Sequence, residues 1–298
     1  THRILHWNLT MRSIIIATSL HLVGAFTTHS IQSIYNNQQS HTSFAARSIC
    51  TFDEDDFALK QGEWPYTAAD LNRLDNTVDT VFYDEPRFVT HIDDGAISAL
   101  TKFYQQEFSA MNKDSLDVLD LCSSWISHLP QDGVGGISYG KVVGVGMNAK
   151  ELEANKQLND FVVQNLNKNP ILSQFEDDSF DVICNVVSVD YLTKPLEIFK
   201  EMHRLLRPGG ISLMSFSNRC FPTKAIAMWL QADDIGRLTI VGSYYHYSAK
   251  WKSIEALDIK EVQPTPARPS AGDVFKNPSL LTAWMNTAAA VAKNNQGD

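Results

Sequence analysis

Three segments constrain this 298-residue chain more than any other feature. They are Ser115-Leu-Asp-Val-Leu-Asp-Leu-Cys122, Ser179-Phe-Asp-Val-Ile-Cys-Asn-Val-Val-Ser-Val189 and Arg204-Leu-Leu-Arg-Pro-Gly-Gly210. The first two are short apolar runs with polar residues at the end. The third turns the chain into another such run at 211–216. Two more lie between them, at 141–145 and 161–165. Pro195 opens a helix with Leu196, Phe199, Met202 and Leu206 at helical spacing. Strands that alternate with helices predict a parallel sheet with right-handed crossovers. The almost continuous β-branched run 180–187 predicts a strand covered on both faces. The expected fold class is therefore α/β, a doubly wound and mostly parallel sheet with helices on both faces.

Elsewhere the pattern is less regular. A turn and a short helix are expected over 64–75. Asp93 or Asp94 can cap a helix through Ala96, Leu100, Phe103, Tyr104 and Phe108. A helix starts near Glu151, and 223–230 has helical character. Segments 238–242 and 259–263 read as later strands. A Pro-rich linker over 264–272 and an Ala-rich helix over 280–292 complete the chain.

Hydrophobic residues make up 44% of the sequence, enough for a real core. Net charge is −9, and every acidic residue lies at or after Asp53. Without residues 1–52 the chain holds 22 basic against 34 acidic residues, or −12. Phosphate backbones would be repelled, so no nucleic-acid partner is expected. Cys50, Cys122, Cys184 and Cys220 have no metal-ligand spacing and read as reduced thiols; no metal site is expected. No apolar run in the mature body suffices to span a membrane. The oligomeric state is not legible.

The acid-free start has its own organisation. Residues 1–10 read as upstream extension and Met11 as a start. Arg12, the apolar run from Ile14 to Val23 and the small residues up to Ala25 have the plan of a signal peptide, 11–25. Residues 26–50, beginning at Phe26, are rich in Ser, Thr, Gln and Asn, as in a transit peptide. A signal followed by a transit segment with Phe at the junction resembles the bipartite leaders of algae whose plastids lie within the secretory system. Plastid import is the expected localisation, with secretion as the alternative. The body then runs over 51–262, and 263–298 form linker and tail.

Two glycine patterns invite misreading. Gly135-Gly-Ile-Ser-Tyr-Gly-Lys-Val142 nearly matches a phosphate loop, but Val142 stands where magnesium needs a hydroxyl, and a strand follows where a helix is required. Gly144-Val-Gly-Met-Asn-Ala149 matches a dinucleotide fingerprint, which should follow the first strand. An earlier strand, 116–121, already exists. A nicotinamide-dependent oxidoreductase is kept only as an alternative.

An open parallel sheet binds its ligand at the carboxyl ends of its strands, near the point where strand order reverses. Four loops should meet there: Asp120 to Ile126, Gly146 to Asn148, Asn165 to Asn167, and Asn185 to Tyr191. The stretches VVGVGMN, QNLN, FEDDSFDVICNVVSVDYLTKPLEIFKEMHRLLRPGG and MSFSNRCF resemble class I S-adenosylmethionine-dependent methyltransferases, of the type 11-like kind and of a plant, algal and cyanobacterial branch. The likeness covers roughly 82–262 and is most specific over 176–210. It implies a Rossmann-like methyltransferase fold and S-adenosylmethionine as cofactor. It implies cofactor contacts from Asp120, Cys122, Ser123, Ser124, Gly146, Met147, Asn148, Asn165, Leu166 and Asn185. Against the family pattern, Cys122, Ser124 and Ile126 replace the glycines of the first loop. No acid ends the second strand, where Asn148 or Glu151 could substitute. Asn165 stands where Asp is common, a weaker acceptor for the adenine amine.

The expected activity is methyl transfer to a small, partly apolar acceptor. From position, Tyr83, Arg87, Tyr191, Asn218, Arg219, Tyr244 and Tyr245 are the candidate acceptor contacts. His91, Asp190 and His246 are candidate bases. The altered loops support a rival reading, a cofactor-binding or scaffold protein that keeps the fold without turnover.

Overall fold

The computed structural model describes residues 11–17, 46–53, 56–57 and 63–259. The expected linker and helix beyond 263 lie outside the described residues, as does the leader between 18 and 45. Eight strands form one sheet: β1 Arg12–Ala17, β2 Arg47–Phe52, β3 Leu116–Leu121, β4 Tyr139–Gly146, β5 Asp160–Val163, β6 Phe180–Val186, β7 Leu206–Phe216 and β8 Ser253–Asp258. Their spatial order is β2-β8-β1-β7-β6-β3-β4-β5. Every neighbouring pair is parallel except β2 with β8. From β3 the chain steps outward to β4 and β5, then returns to β6 on the other side of β3. The strand order therefore reverses between β3 and β6, where Asp120 pairs Cys184 and Leu121 pairs Asn185.

Alternate side chains of the central strands enter separate cores, as the pleat requires. Val118, Val182 and Leu213 pack with Leu100, Phe103 and Phe108 of α2, Asp94–Ala110. Leu119, Ile183 and Met214 point to the opposite face, toward α4, Pro195–Leu205, and α6, Asp234–Ser248. Helix α2 begins where Asp93 Oδ1 accepts from Ala96 N at 2.8 Å. Helix α3 is short, Ala149–Ala154, and α4 runs Pro195–Leu205. Ile198, Phe199, Met202 and Leu205 of α4 are buried, each contributing roughly 1.5–3 kcal/mol of apolar burial.

Residues 238–242 are not a strand. They lie within α6, Asp234–Ser248, which follows the short α5, Ala227–Gln231. Asp233 caps α6 by accepting from Gly236 N at 2.8 Å. Leu238, Val241, Tyr244 and Tyr245 then recur at helical spacing on the buried side. The last described strand is Ser253–Asp258, earlier than the expected 259–263.

The apolar run that reads as a signal-peptide core supplies β1. Ile14, Ile15 and Ile16 have no exposed surface, and β1 is the strand that joins β8 to β7. Cleavage after Ala25 and this strand exclude each other in one molecule.

An arm, 63–93, leads into α2 and carries a single helical turn, α1 Asp79–Phe82. It runs beside 223–228, with Asp75 N donating to Thr223 O, Ala227 N to Asn72 O and Met228 N to Asp70 O. No helix among the described residues is long and apolar enough to cross a membrane.

Candidate functional site

A cavity of about 260 Å³ opens at the carboxyl ends of β3 to β7. The arm closes one side of it through Asp79, Tyr83, Arg87 and His91. Its floor begins with Asp120, the penultimate residue of β3. That carboxylate is 3% exposed and accepts from Ser123 Oγ at 2.6 Å and from the Cys184 thiol at 3.7 Å. Burial raises its pKa to about 6, against the lowering effect of these donors. Asp120 thus holds the turn that follows β3.

Cys122 sits in that turn at φ +58°. An L-residue is disfavoured there and glycine is free, which gives a physical reason for the glycine usual at this position. Burial pushes its thiol pKa up to about 12, so it is no nucleophile at neutral pH. Val187, just past β6, also has positive φ, +44°. For a β-branched residue this is an outlier, and it lies on the cavity wall.

Gly146 ends β4 where a Cβ would lie only 2.2 Å from Ser123 O. The second glycine of the dinucleotide-like pattern therefore serves contact between two loops. Its strand follows β3, as the fingerprint should not. The phosphate-loop mimic runs directly into a strand, β4, which begins within it at Tyr139.

Asn148 is fully engaged. Its Oδ1 accepts from Lys150 N and Glu151 N, capping α3, and its Nδ2 donates to Tyr83 O and Asp84 O, both at 2.9 Å. Its side chain ties the arm to β4 and has no valence left for ribose hydroxyls. Glu151 is the acid on this wall. It accepts from Arg87 N and Ser124 Oγ, each at 2.6 Å, and retains acceptor capacity. Asn165 Oδ1 accepts from Asn167 N and Lys168 N, so its oxygen caps a turn. Its Nδ2 makes no hydrogen bond among the described residues, which leaves donors where the sequence suggested an acceptor.

Of the remaining sequence candidates, Ser123, Ser124, Met147, Leu166, Tyr191 and Arg219 line the cavity. Asn185 does not; it is buried within the sheet, where its Nδ2 donates to Leu121 O at 3.1 Å and its Oδ1 has no partner. Asp190 is 2% exposed and lies off the cavity lining, with Oδ2 unpartnered. Asn218 is exposed and outside the lining. Tyr244 and Tyr245 cannot form an acceptor lid, because both are fully buried with their rings against Phe199. Their position on the inner side of α6 decides this. His246 stacks on Phe57 at 4.4 Å and does not line the cavity.

Trp125 does not plug the space. Its Nε1 donates to Val89 O at 3.0 Å and its ring meets Phe88 edge-on at 6.4 Å, which holds it against the arm. His128, Phe221 and Asp79 also line the cavity and were not legible as site residues. The backbone of His128 is left-handed, φ +56°, and its Nδ1 is buried without a partner. Burial lowers the His128 pKa to about 4. Burial also pulls His91 below the usual histidine value; Glu151 opposes that effect and Arg87 adds to it. The His128 imidazole is therefore neutral at pH 7.

Residues 126–214 match the family model of the methyltransferase domain. That span starts in the loop after β3 and ends inside β7. Comparison with curated proteins finds no match. Among solved structures, the chain is similar to an S-adenosylmethionine-dependent methyltransferase from Mesorhizobium loti, at 15% identity over 60% of this chain and 90% of that one, TM-score 0.32. It is similar to the trans-methyltransferase CalH, solved with S-adenosylhomocysteine, at 18% identity over 40% and 39%, TM-score 0.29. It is also similar to the Bacillus YcgJ protein, at 18% identity over 37% and 48%, TM-score 0.28. The chain spans about half or less of the length of CalH and YcgJ. At identities and TM-scores this low, none of these likenesses carries an activity across.

Proposed function

We propose that this chain transfers a methyl group from S-adenosylmethionine to a small acceptor. The observation that carries the reading is the cavity at the strand-order reversal of the sheet, walled by the segment that matches the methyltransferase domain. The lining offers polar groups suited to the cofactor's polar edges. Asp120 and Ser123 brace the turn after β3, Gly146 keeps the next strand end low, and the Asn165 amide offers donors to ring nitrogens. Glu151, in place of Asn148, offers acceptors for hydroxyl groups.

When bound, S-adenosylmethionine supplies a methyl carbon already activated by a sulfonium. The chain then has chiefly to position the acceptor in line with it. A base is needed only where the acceptor keeps its proton at working pH. His91 suits that task, since it lines the cavity and burial favours its neutral form, whose ring nitrogen can take the proton. The arm, tied by Asn148 and Glu151, covers one side of the cavity.

Titration of the full chain with S-adenosylhomocysteine tests the reading. At 100 times the dissociation constant the fold should gain about 2.7 kcal/mol. No shift in melting temperature at millimolar ligand overturns it. A shift with NAD(H) alone would return the oxidoreductase reading. Two observations favour a second reading, a binding protein without turnover: Asn148 is spent on structure and Cys122 holds a glycine conformation. S-adenosylhomocysteine binding without methyl transfer to any extract would support that second reading.

A further inference from the structure

Arg87 is unusual in a chain this acidic. Its guanidinium lies 4.5 Å from the Phe82 ring centroid and within 6 Å of those of Tyr83 and Phe221, at 5.9 and 5.8 Å. Nη2 donates to Phe82 O at 2.8 Å, whereas Nη1 is buried and has no partner. No carboxylate pairs with the guanidinium among the described residues, although Glu151 takes the backbone N–H of the same residue. Ring faces offset part of the cost of burying the charge. They satisfy no N–H, so Nη1 remains a desolvated donor on a residue that lines the cavity. Arg219, on the same cavity, likewise has no side-chain partner among the described residues.

The Arg87 guanidinium, 5.8 Å from the Phe221 ring centroid, lies toward the loop that carries Arg219. Arg219 and Phe221 follow β7, and in the strand order β7-β6-β3-β4-β5 that loop lies two strands from β3 and three from β4. The nucleoside-fitting groups Gly146 and Asn165 belong to the far half, and Glu151 meets the Arg87 backbone between the two. The β7 half is the acceptor's half, and it offers flat apolar walls in Phe221 and Tyr191, whose centroids are 6.0 Å apart. His91 stands edge-on to Phe221 at 5.7 Å.

We infer that the acceptor is a flat, partly apolar molecule bearing a carboxylate, and that Arg87 Nη1 and Arg219 read that acid. The guanidinium fork matches the two oxygens of a carboxylate in one plane. The acid end anchors the molecule while its methyl-accepting atom faces the β3 half. This rests on the methyl-transfer reading only for the name acceptor; the anion site stands on its own geometry.

Calorimetric titration of the full chain with benzoate and its neutral isostere benzamide tests the inference. Benzoate should bind and benzamide bind at least about tenfold more weakly, the worth of one charged contact. Arg87→Met and Arg219→Gln should each lose benzoate by a similar factor, and Arg87→Lys should not restore it. Arg219 is exposed, so its variant keeps the test valid if Arg87→Met misfolds. Equal affinity for the two probes, or no benzoate binding, overturns the inference. It also falls if Arg87→Met weakens S-adenosylhomocysteine but spares 5′-methylthioadenosine, which lacks the amino-acid carboxylate. Benzoate selectivity with no nucleoside binding at all would sink methyl transfer and leave the acid site standing.

Discussion

The ammonium of Lys224 reaches the Asp79 carboxylate at 3.6 Å from a side chain with no exposed surface. The same Nζ lies 3.0 Å from Asp75 Oδ2 and donates to Thr77 O at 2.9 Å. Asp79 is held in turn by Arg73 at 2.7 Å and Asn167 Nδ2 at 3.0 Å. Asn167 also donates to Tyr191 O and accepts from Thr193 N. One buried lysine therefore fastens the arm to the loops after β5 and β6, and the cavity depends on that fastening.

Lys224→Ala removes the cation from this network. Breaking a buried pair at one partner costs about 3–5 kcal/mol. Denaturant unfolding should show a loss of that order, and limited proteolysis should open the arm between 75 and 90. A loss of under ~1 kcal/mol would mean the arm is held by its backbone contacts alone.

Gly146→Ala places a Cβ against Ser123 O, a backbone atom that cannot turn aside. Overpacking of this kind costs about 1–3 kcal/mol. Because both loops line the cavity, S-adenosylhomocysteine affinity should fall along with the melting temperature. Unchanged affinity would show that the β3 and β4 loops do not jointly shape the ligand site.

Asp190 predicts a pH dependence. Burial raises its pKa to about 8, with Arg237 and local hydrogen bonds acting in the lowering direction. A carboxyl raised above its unfolded value of about 4 favours folding below that pH. The contribution is lost as pH climbs from about 4 to about 8. Wild type should therefore lose melting temperature relative to Asp190→Asn between pH 5 and pH 8. Parallel curves for the two proteins would place a cation beside Asp190.

Deletion of residues 1–25 removes β1. Its three buried isoleucines contribute roughly 1.5–3 kcal/mol each as an upper estimate, and β8 loses a parallel neighbour. The truncated chain should melt lower and unfold with a smaller denaturant slope. An unchanged melting temperature would detach Arg12–Ala17 from the native sheet and favour the proposal that this segment belongs to a plastid-directed leader.

Much of the central sheet was legible because its signals are local. Val118 beside Leu119 and Val182 beside Ile183 are short apolar runs that suit strands covered on both faces. Pro195 and Asp93 mark helix starts by their own chemistry. Asp120, Gly146, Asn165 and Tyr191 were legible as cavity residues because they end strands or follow them, and strand ends of a parallel sheet meet at one edge. Tyr244 and Tyr245 misled because a tyrosine is amphipathic, and only the helical phase of α6 shows which way it points. The same run, 238–242, reads as a strand until the Asp233 cap is seen. Lys224 carries no local signal, since its partners lie some 150 residues earlier.

The amino-acid order by itself determined the alternation of strands and helices, the parallel sense of the central sheet and the edge where a ligand would lie. Those follow from periodicity, caps and the handedness of crossovers, which act over a few residues. Tertiary structure decided which polar groups remain available at that edge. Asn148 is spent on the backbone at Tyr83 and Asp84, Asn165 turns its oxygen to its own loop, and Arg87 keeps an unpaired N–H. A side chain's hydrogen-bonding capacity is small and is filled by whatever the fold brings near, so availability is a property of distant neighbours.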